Sequence, residues 1–157
     1  MKKIAVIGIG NTIRKDDGIG IYLLDQLSKR KKEFAKNIDF IDGGTGGLNL
    51  FHIFSDYEII LIIDAVNFGL KPGEFKFFRP KDVKSKKISF DFSTHDTDFL
   101  KVIKLSENIS KKEQSFFIFG VQPSDTSLGE GLSKILQKNF NLILDKLLKK
   151  IEIIEEV

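Results

Sequence analysis

Ile59-Ile60-Leu61-Ile62-Ile63-Asp64 is an unbroken aliphatic run closed by a carboxylate. A strand with one wet face alternates apolar and polar residues, whereas a run without alternation is buried on both faces, as in a parallel sheet covered by helices. The run is far shorter than a membrane span. Asp64 falls where this strand is expected to stop, and a carboxylate there is costly if desolvated without a partner. The competing reading is a turn-forming Asp in solvent.

Outward from this run, residues 3–9 and 38–41 read as two more buried strands, and residues 115–119 as a last one. Residues 74–78 form a further strand, antiparallel to its predecessor because the turn at 69–73 is so short. Ile19, Leu23 and Leu27 recur every four residues, a helical stripe with Asp16 and Asp17 in its first turn and the basic cluster 29–32 at its other end. A short helix is expected over 48–54, with His52 structural within it, and a weak one over 98–105. Residues 81–87 read as a polar loop. Leu132, Ile135, Leu136, Phe140, Ile143, Leu144, Leu147 and Leu148 trace a long helix, followed by an acidic tail. Strands alternating with helices predict an α/β fold, a three-layer sheet with helices on both faces and its ligand site beyond the carboxyl ends of the strands.

The chain has 157 residues, 41% hydrophobic and 30% charged, enough for one domain over 1–157 with one sizeable core. No signal peptide or spanning segment is read, so a cytoplasmic protein without membrane association is expected. Cysteine is absent, which excludes disulfides, thiolate zinc sites and cysteine nucleophiles within the chain. A formal net charge of +3 comes from scattered lysines, without a groove-reading motif or sustained basic stripe, so no nucleic-acid partner is expected.

The informative residues gather at the strand ends. Gly8-Ile9-Gly10-Asn11 follows the first strand, and Asp42-Gly43-Gly44-Thr45-Gly46-Gly47 follows the second, where four glycines in five positions demand unusual backbone angles or close approach. Asp16 is read as an N-cap of the following helix and Asp17 as projecting toward the crevice, although the residue types also allow the reverse. His95, in Ser93-Thr94-His95-Asp96, lies outside any apolar stripe. Two carboxylates and an imidazole would make an oxygen and nitrogen site for nickel, zinc or another divalent ion. No H-E-x-x-H motif and no nucleophile elbow is present.

Taken together, Gly8-Ile9-Gly10-Asn11, Asp16-Asp17-Gly18-Ile19-Gly20, Asp42-Gly43-Gly44-Thr45, Asp64-Ala65, Ser93-Thr94-His95 and Gly120-Val121-Gln122-Pro123 resemble, in order, the hydrogenase maturation endopeptidases. The turn Gly69-Leu70-Lys71-Pro72-Gly73-Glu74 looks like the branch serving formate-hydrogenlyase-type hydrogenase. The resemblance implies a five-stranded mixed, mostly parallel sheet and cleavage of a C-terminal extension from the precursor of a [NiFe]-hydrogenase large subunit. It also implies that Asp17, Asp64 and His95 contact nickel. The metal would be supplied by the substrate as a recognition handle, with no permanent cofactor in the enzyme. Asn11, Gly43, Gly44 and Thr45 are assigned to the substrate tail, the glycine loop offering free backbone groups. A monomer is expected.

Two other classes stand beside this one. A nucleotide-binding module could use Gly8 and Gly10, but the third glycine of that fingerprint falls at Ile13. A receiver-like switch would use the acidic pair and Asp64, but its lysine after the last strand is replaced by Gly120-Val121-Gln122-Pro123.

Overall fold

In the computed structural model, which describes residues 1–85, 87 and 94–157 and the side chains of these except 94–98, the chain folds around a single five-stranded sheet. The strands are β1 (Ile4–Gly8), β2 (Ile38–Asp42), β3 (Ile59–Ala65), β4 (Phe75–Phe78) and β5 (Ser115–Val121), in the order β2-β1-β3-β5-β4. β1, β2, β3 and β5 are mutually parallel, and β4 is antiparallel to β5. The helices are α1 (Ile19–Lys29), α2 (Asn49–Phe54), α3 (Pro80–Lys84), α4 (Thr94–Ile109) and α5 (Lys134–Glu155).

β3 is central and buried throughout, as its lack of alternation requires. Its residues divide between two cores. Leu61, Ile63 and Ala65 pack with Leu23 and Leu27 of α1 and Leu144, Leu147 and Ile151 of α5. Ile60 and Ile62 face Leu50 and Phe54 of α2 and Phe99, Val102 and Ile103 of α4. The period of two along a strand thus sends Asp64 toward the α2/α4 layer. Among the described residues no helix is long and apolar enough to cross a membrane.

Several boundaries differ from the sequence reading. β3 does not stop at Asp64: the carboxylate lies within the ladder, opposite Gly120. β4 runs antiparallel to its predecessor, as the short turn suggested, yet pairs with β5. Both edges of β3 are already taken by β1 and β5, so the returning chain adds at the outside, where Phe75 stacks on Phe119 and Phe77 on Phe117. The expected polar loop at 81–87 begins instead with α3, which has Pro80 in its first turn and Asp82 accepting from Arg79 N at 2.9 Å, a start signal for even a short helix. α4 begins at Thr94, four residues earlier than expected, and α5 absorbs most of the acidic tail because Ile151 and Ile154 continue its buried stripe. His52 is exposed, its ring edge against Phe51, so it is not a packed core residue.

Candidate active site at the carboxyl edge of the sheet

The parallel register brings the ends of three strands level: Gly8 lies opposite both Asp42 and Ile63. Beyond that line the chain ties its loops together. Ile9 N donates to Ile63 O, Gly43 N to Gly8 O and Gly10 N to Gly44 O, each at 2.8–2.9 Å. Gly10 has φ 153° and lies so close to the next loop that an added Cβ would stand 2.2 Å from Asp17 O. Only glycine lets the β1 turn fold this tightly against the segment carrying the acidic pair.

Asp17 is half-buried, and its Oδ2 accepts from Asn11 N at 3.0 Å. The side chain is thus turned back onto the end of β1. Asn11 in turn accepts from Ile13 N through Oδ1. Asp64 is 1% exposed, with Oδ1 accepting from Ala65 N at 2.8 Å. It therefore places a buried carboxylate, not a solvated turn residue, at the middle of the sheet edge. His95 falls in the first turn of α4, and its side chain lies outside the described residues. The α4 backbone still fixes which end of the sheet that turn serves. Ser106, near the other end of α4, hydrogen-bonds Gln114 just before β5 begins, so the 16-residue helix, about 24 Å long, starts at the carboxyl edge. It covers the face toward which Asp64 points. Among the described residues alone, no three His, Cys, Asp or Glu side chains cluster as a metal site.

Asp16 has a different role from the one expected. Residues 15–18 form a 3-10 turn, and neither that turn nor α1 receives a side-chain cap from Asp16. The carboxylate is fully buried and accepts four hydrogen bonds at 2.7–3.0 Å from Ser124 N, Asp125 N, Ser133 N and Ser133 Oγ. It anchors the β5–α5 loop to the β1–α1 loop. A backbone ladder continues the seam: Asp16 N donates to Asp125 O, Lys15 N to Gly129 O and Gly129 N to Ile13 O. Ser127 and Lys15 hold the Asp125 carboxyl well below the usual carboxylate range, chiefly through the Ser127 hydroxyl and amide.

The glycine-rich loop is less open than its composition suggests. Gly43 N and Gly46 N are engaged by Gly8 O and Gly43 O, and Gly44 N by Asp42 Oδ1. Gly43 is buried against Ile7. Exposed Gly44, at φ 59°, and exposed Thr45 form the outward part of the turn. The expectation that the loop from Asp42 to Gly47 offers free backbone groups is corrected at Gly43, Gly44 and Gly46: the Gly43 amide closes onto β1, the Gly44 amide onto the Asp42 side chain and the Gly46 amide onto Gly43 O. Gln122, which follows the last strand, is buried. Its Oε1 accepts from Phe68 N and Leu70 N and its Nε2 donates to Asn67 Oδ1, fastening the β3–β4 loop to the end of β5.

This geometry disfavours both alternative classes. A dinucleotide site needs its phosphate at the glycine turn and helix N-terminus, where this chain puts Asp16 and Asp17. Gly8 and Gly20 serve packing: a Cβ on Gly8 would stand 2.5 Å from Gly20 O. The antiparallel outer strand departs from the all-parallel order of receiver-like folds.

The family model for hydrogenase maturation proteases matches residues 21–150. HoxM of Cupriavidus necator, a hydrogenase expression/formation protein, is 31% identical over 139 residues, covering 85% of this chain and 66% of its own length. A Methanocaldococcus jannaschii protein named as a candidate hydrogenase maturation protease is 30% identical over 164 residues, covering 99% and 90% of the two chains. The hydrogenase maturating endopeptidase HybD from E. coli superposes with a TM-score of 0.80 at 21% identity, covering 96% and 92%, a likeness that bears on the fold. The chain spans 60–66% of the length of the HupD proteins of Bradyrhizobium diazoefficiens and Rhizobium leguminosarum and the HoxM protein of Cupriavidus necator. With its match extending over most of the sequence, the chain belongs to the hydrogenase maturation protease family.

Proposed function

We propose that this chain is an endopeptidase that removes the C-terminal extension from the nickel-loaded precursor of a [NiFe]-hydrogenase large subunit. It acts in the cytoplasm as a monomer and carries no permanent cofactor. The observation that carries the reading is Asp64. Its carboxylate is 1% exposed and held by Ala65 N at the carboxyl end of the central strand, and it faces the layer whose helix begins at Thr94-His95. Asp17 is held at the same edge by Asn11.

In this account Asp17, Asp64 and His95 read the nickel already seated in the precursor. Oxygen and imidazole donors suit that ion, and bound nickel supplies Lewis acidity near the scissile bond. The chain's own contribution is positioning. The Asn11 hydrogen bond aims Asp17, pairing with β5 fixes Asp64, and the outward turn at Gly44 and Thr45, tied to the β1 turn through Gly10 N, is assigned to the extended tail. Hydrolysis adds one water across the peptide bond and releases the extension as a free peptide. Incubating the protein with nickel-loaded precursor and weighing the products by mass spectrometry tests this reading. Loss of a short C-terminal peptide, absent with Asp64→Asn, is expected; an intact precursor under the same conditions would overturn it.

A further inference from the structure

The carboxyl edge also presents large apolar side chains to solvent. Among the described residues outside helices and chain ends, the exposed large hydrophobics are Ile13, Leu48 and Leu128, at 56%, 73% and 71% exposure. Each lies on a different loop of the edge that carries Asp17 and Asp64. Ile13 and Leu128 are brought side by side by the 2.9 Å hydrogen bond from Gly129 N to Ile13 O. Leu48 ends the glycine-rich loop, which is tied to the same β1 turn through Gly10 N and Gly44 O.

Single exposed aliphatics need no explanation. Here the supporting structure is the informative part. The two loops bearing Ile13 and Leu128 are stitched by backbone hydrogen bonds and by the fully buried Asp16 with its four donors. Rigid loops holding aliphatic side chains outward lose little freedom when a partner covers them, which is how a binding anchor gains affinity. Exposed Arg14, next to Ile13 and bridged to Gly129, adds a cation at the margin.

We propose that Ile13 and Leu128, with Leu48 on the neighbouring loop, form the docking surface for the folded body of the hydrogenase large-subunit precursor. Arg14 meets a carboxylate on that protein. The inference rests on the protease reading, since a peptide bond presented by a folded substrate at this edge brings the substrate's surface against the rim. The rim discriminates by apolar fit and one charge contact, separately from the metal-reading side chains behind it.

The test is binding of the native precursor to the full chain by calorimetry, with cleavage followed in parallel. Leu128→Ser and Ile13→Ser, both at exposed positions, should leave the melting temperature unchanged and weaken precursor binding about tenfold each. Arg14→Glu should weaken it further and reduce its salt dependence, while Ile153→Ser, on the far part of α5, should bind like wild type. In cleavage assays the loss should appear in KM with kcat retained at saturation. Unchanged affinity in the rim variants, or a free chain whose self-association the same variants abolish, would overturn the docking surface. Wild-type binding without loss of a C-terminal peptide would instead count against the protease reading, leaving the docking surface supported.

Discussion

The two ends of the sheet treat polar side chains differently. At the amino end, Gln114 Nε2 donates to Phe54 O and Tyr57 O and its Oε1 accepts from Ser106, while the Tyr57 hydroxyl donates to Asp39. These polar groups complete helix ends and strand starts that would otherwise bury unpaired carbonyls. At the carboxyl end, glycines draw three loops together and acids gather: Asp16 as a buried tie between loops, Asp17 half-buried against Asn11, and Asp64 buried in the central strand. On the function proposed above, the difference separates polar groups that tie the fold together from the two acids assigned to the substrate's metal, and it divides even adjacent residues. Asp16 belongs with Gln114, and Asp17 with Asp64.

The sharpest break of that comparison is in activity. Asp64→Asn, Asp17→Ala and His95→Ala should each lower precursor processing at least about a hundredfold while keeping a cooperative fold, read by mass spectrometry beside thermal melts. Asp16→Ala should do the opposite in kind. Removing the acceptor strands three backbone amides and the Ser133 hydroxyl, costing roughly 3–5 kcal/mol of stability in urea unfolding. Asp16→Ala with wild-type stability would contradict its assignment as a buried tie. Gln114→Ala, at the other end, should cost about 1–3 kcal/mol and leave the kcat of the folded protein unaltered.

The smallest effect is a pH dependence at the amino end. Burial, then the hydrogen bond to Asp39, pushes the Tyr57 hydroxyl up to about 12, above its unfolded value of about 10. A group whose pKa is raised on folding contributes stability that is fully present below the unfolded value and lost as pH climbs toward the folded one. Urea midpoints should therefore fall between about pH 10 and 12, and Tyr57→Phe should flatten that decline.

Much of this division was legible in residue order. Five aliphatics without alternation specify a strand buried on both faces, and the stripe Ile19, Leu23, Leu27 specifies a helix, because both signals are local and periodic. That Asp17 and Asp64 lie at one edge followed from their order along the chain, Asp17 after β1 and Asp64 at the carboxyl end of β3. The partners of Asp16 were not legible, since they lie 108, 109 and 117 residues away and a pair of acids before a helix carries a strong local capping signal. Ser133 caps the start of α5 by accepting from Leu136 N, and nothing local links it to Asp16. The partner of β4 was hidden for a related reason: its choice depends on which strand edges remain open after the rest of the sheet has formed.

In the proposed function, the acids at the carboxyl edge read a metal carried by the substrate. The most direct measurement compares cleavage of nickel-loaded and nickel-free precursor by the same purified, metal-stripped protein. Only the nickel-loaded precursor should lose its C-terminal peptide. Equal cleavage of both would contradict it.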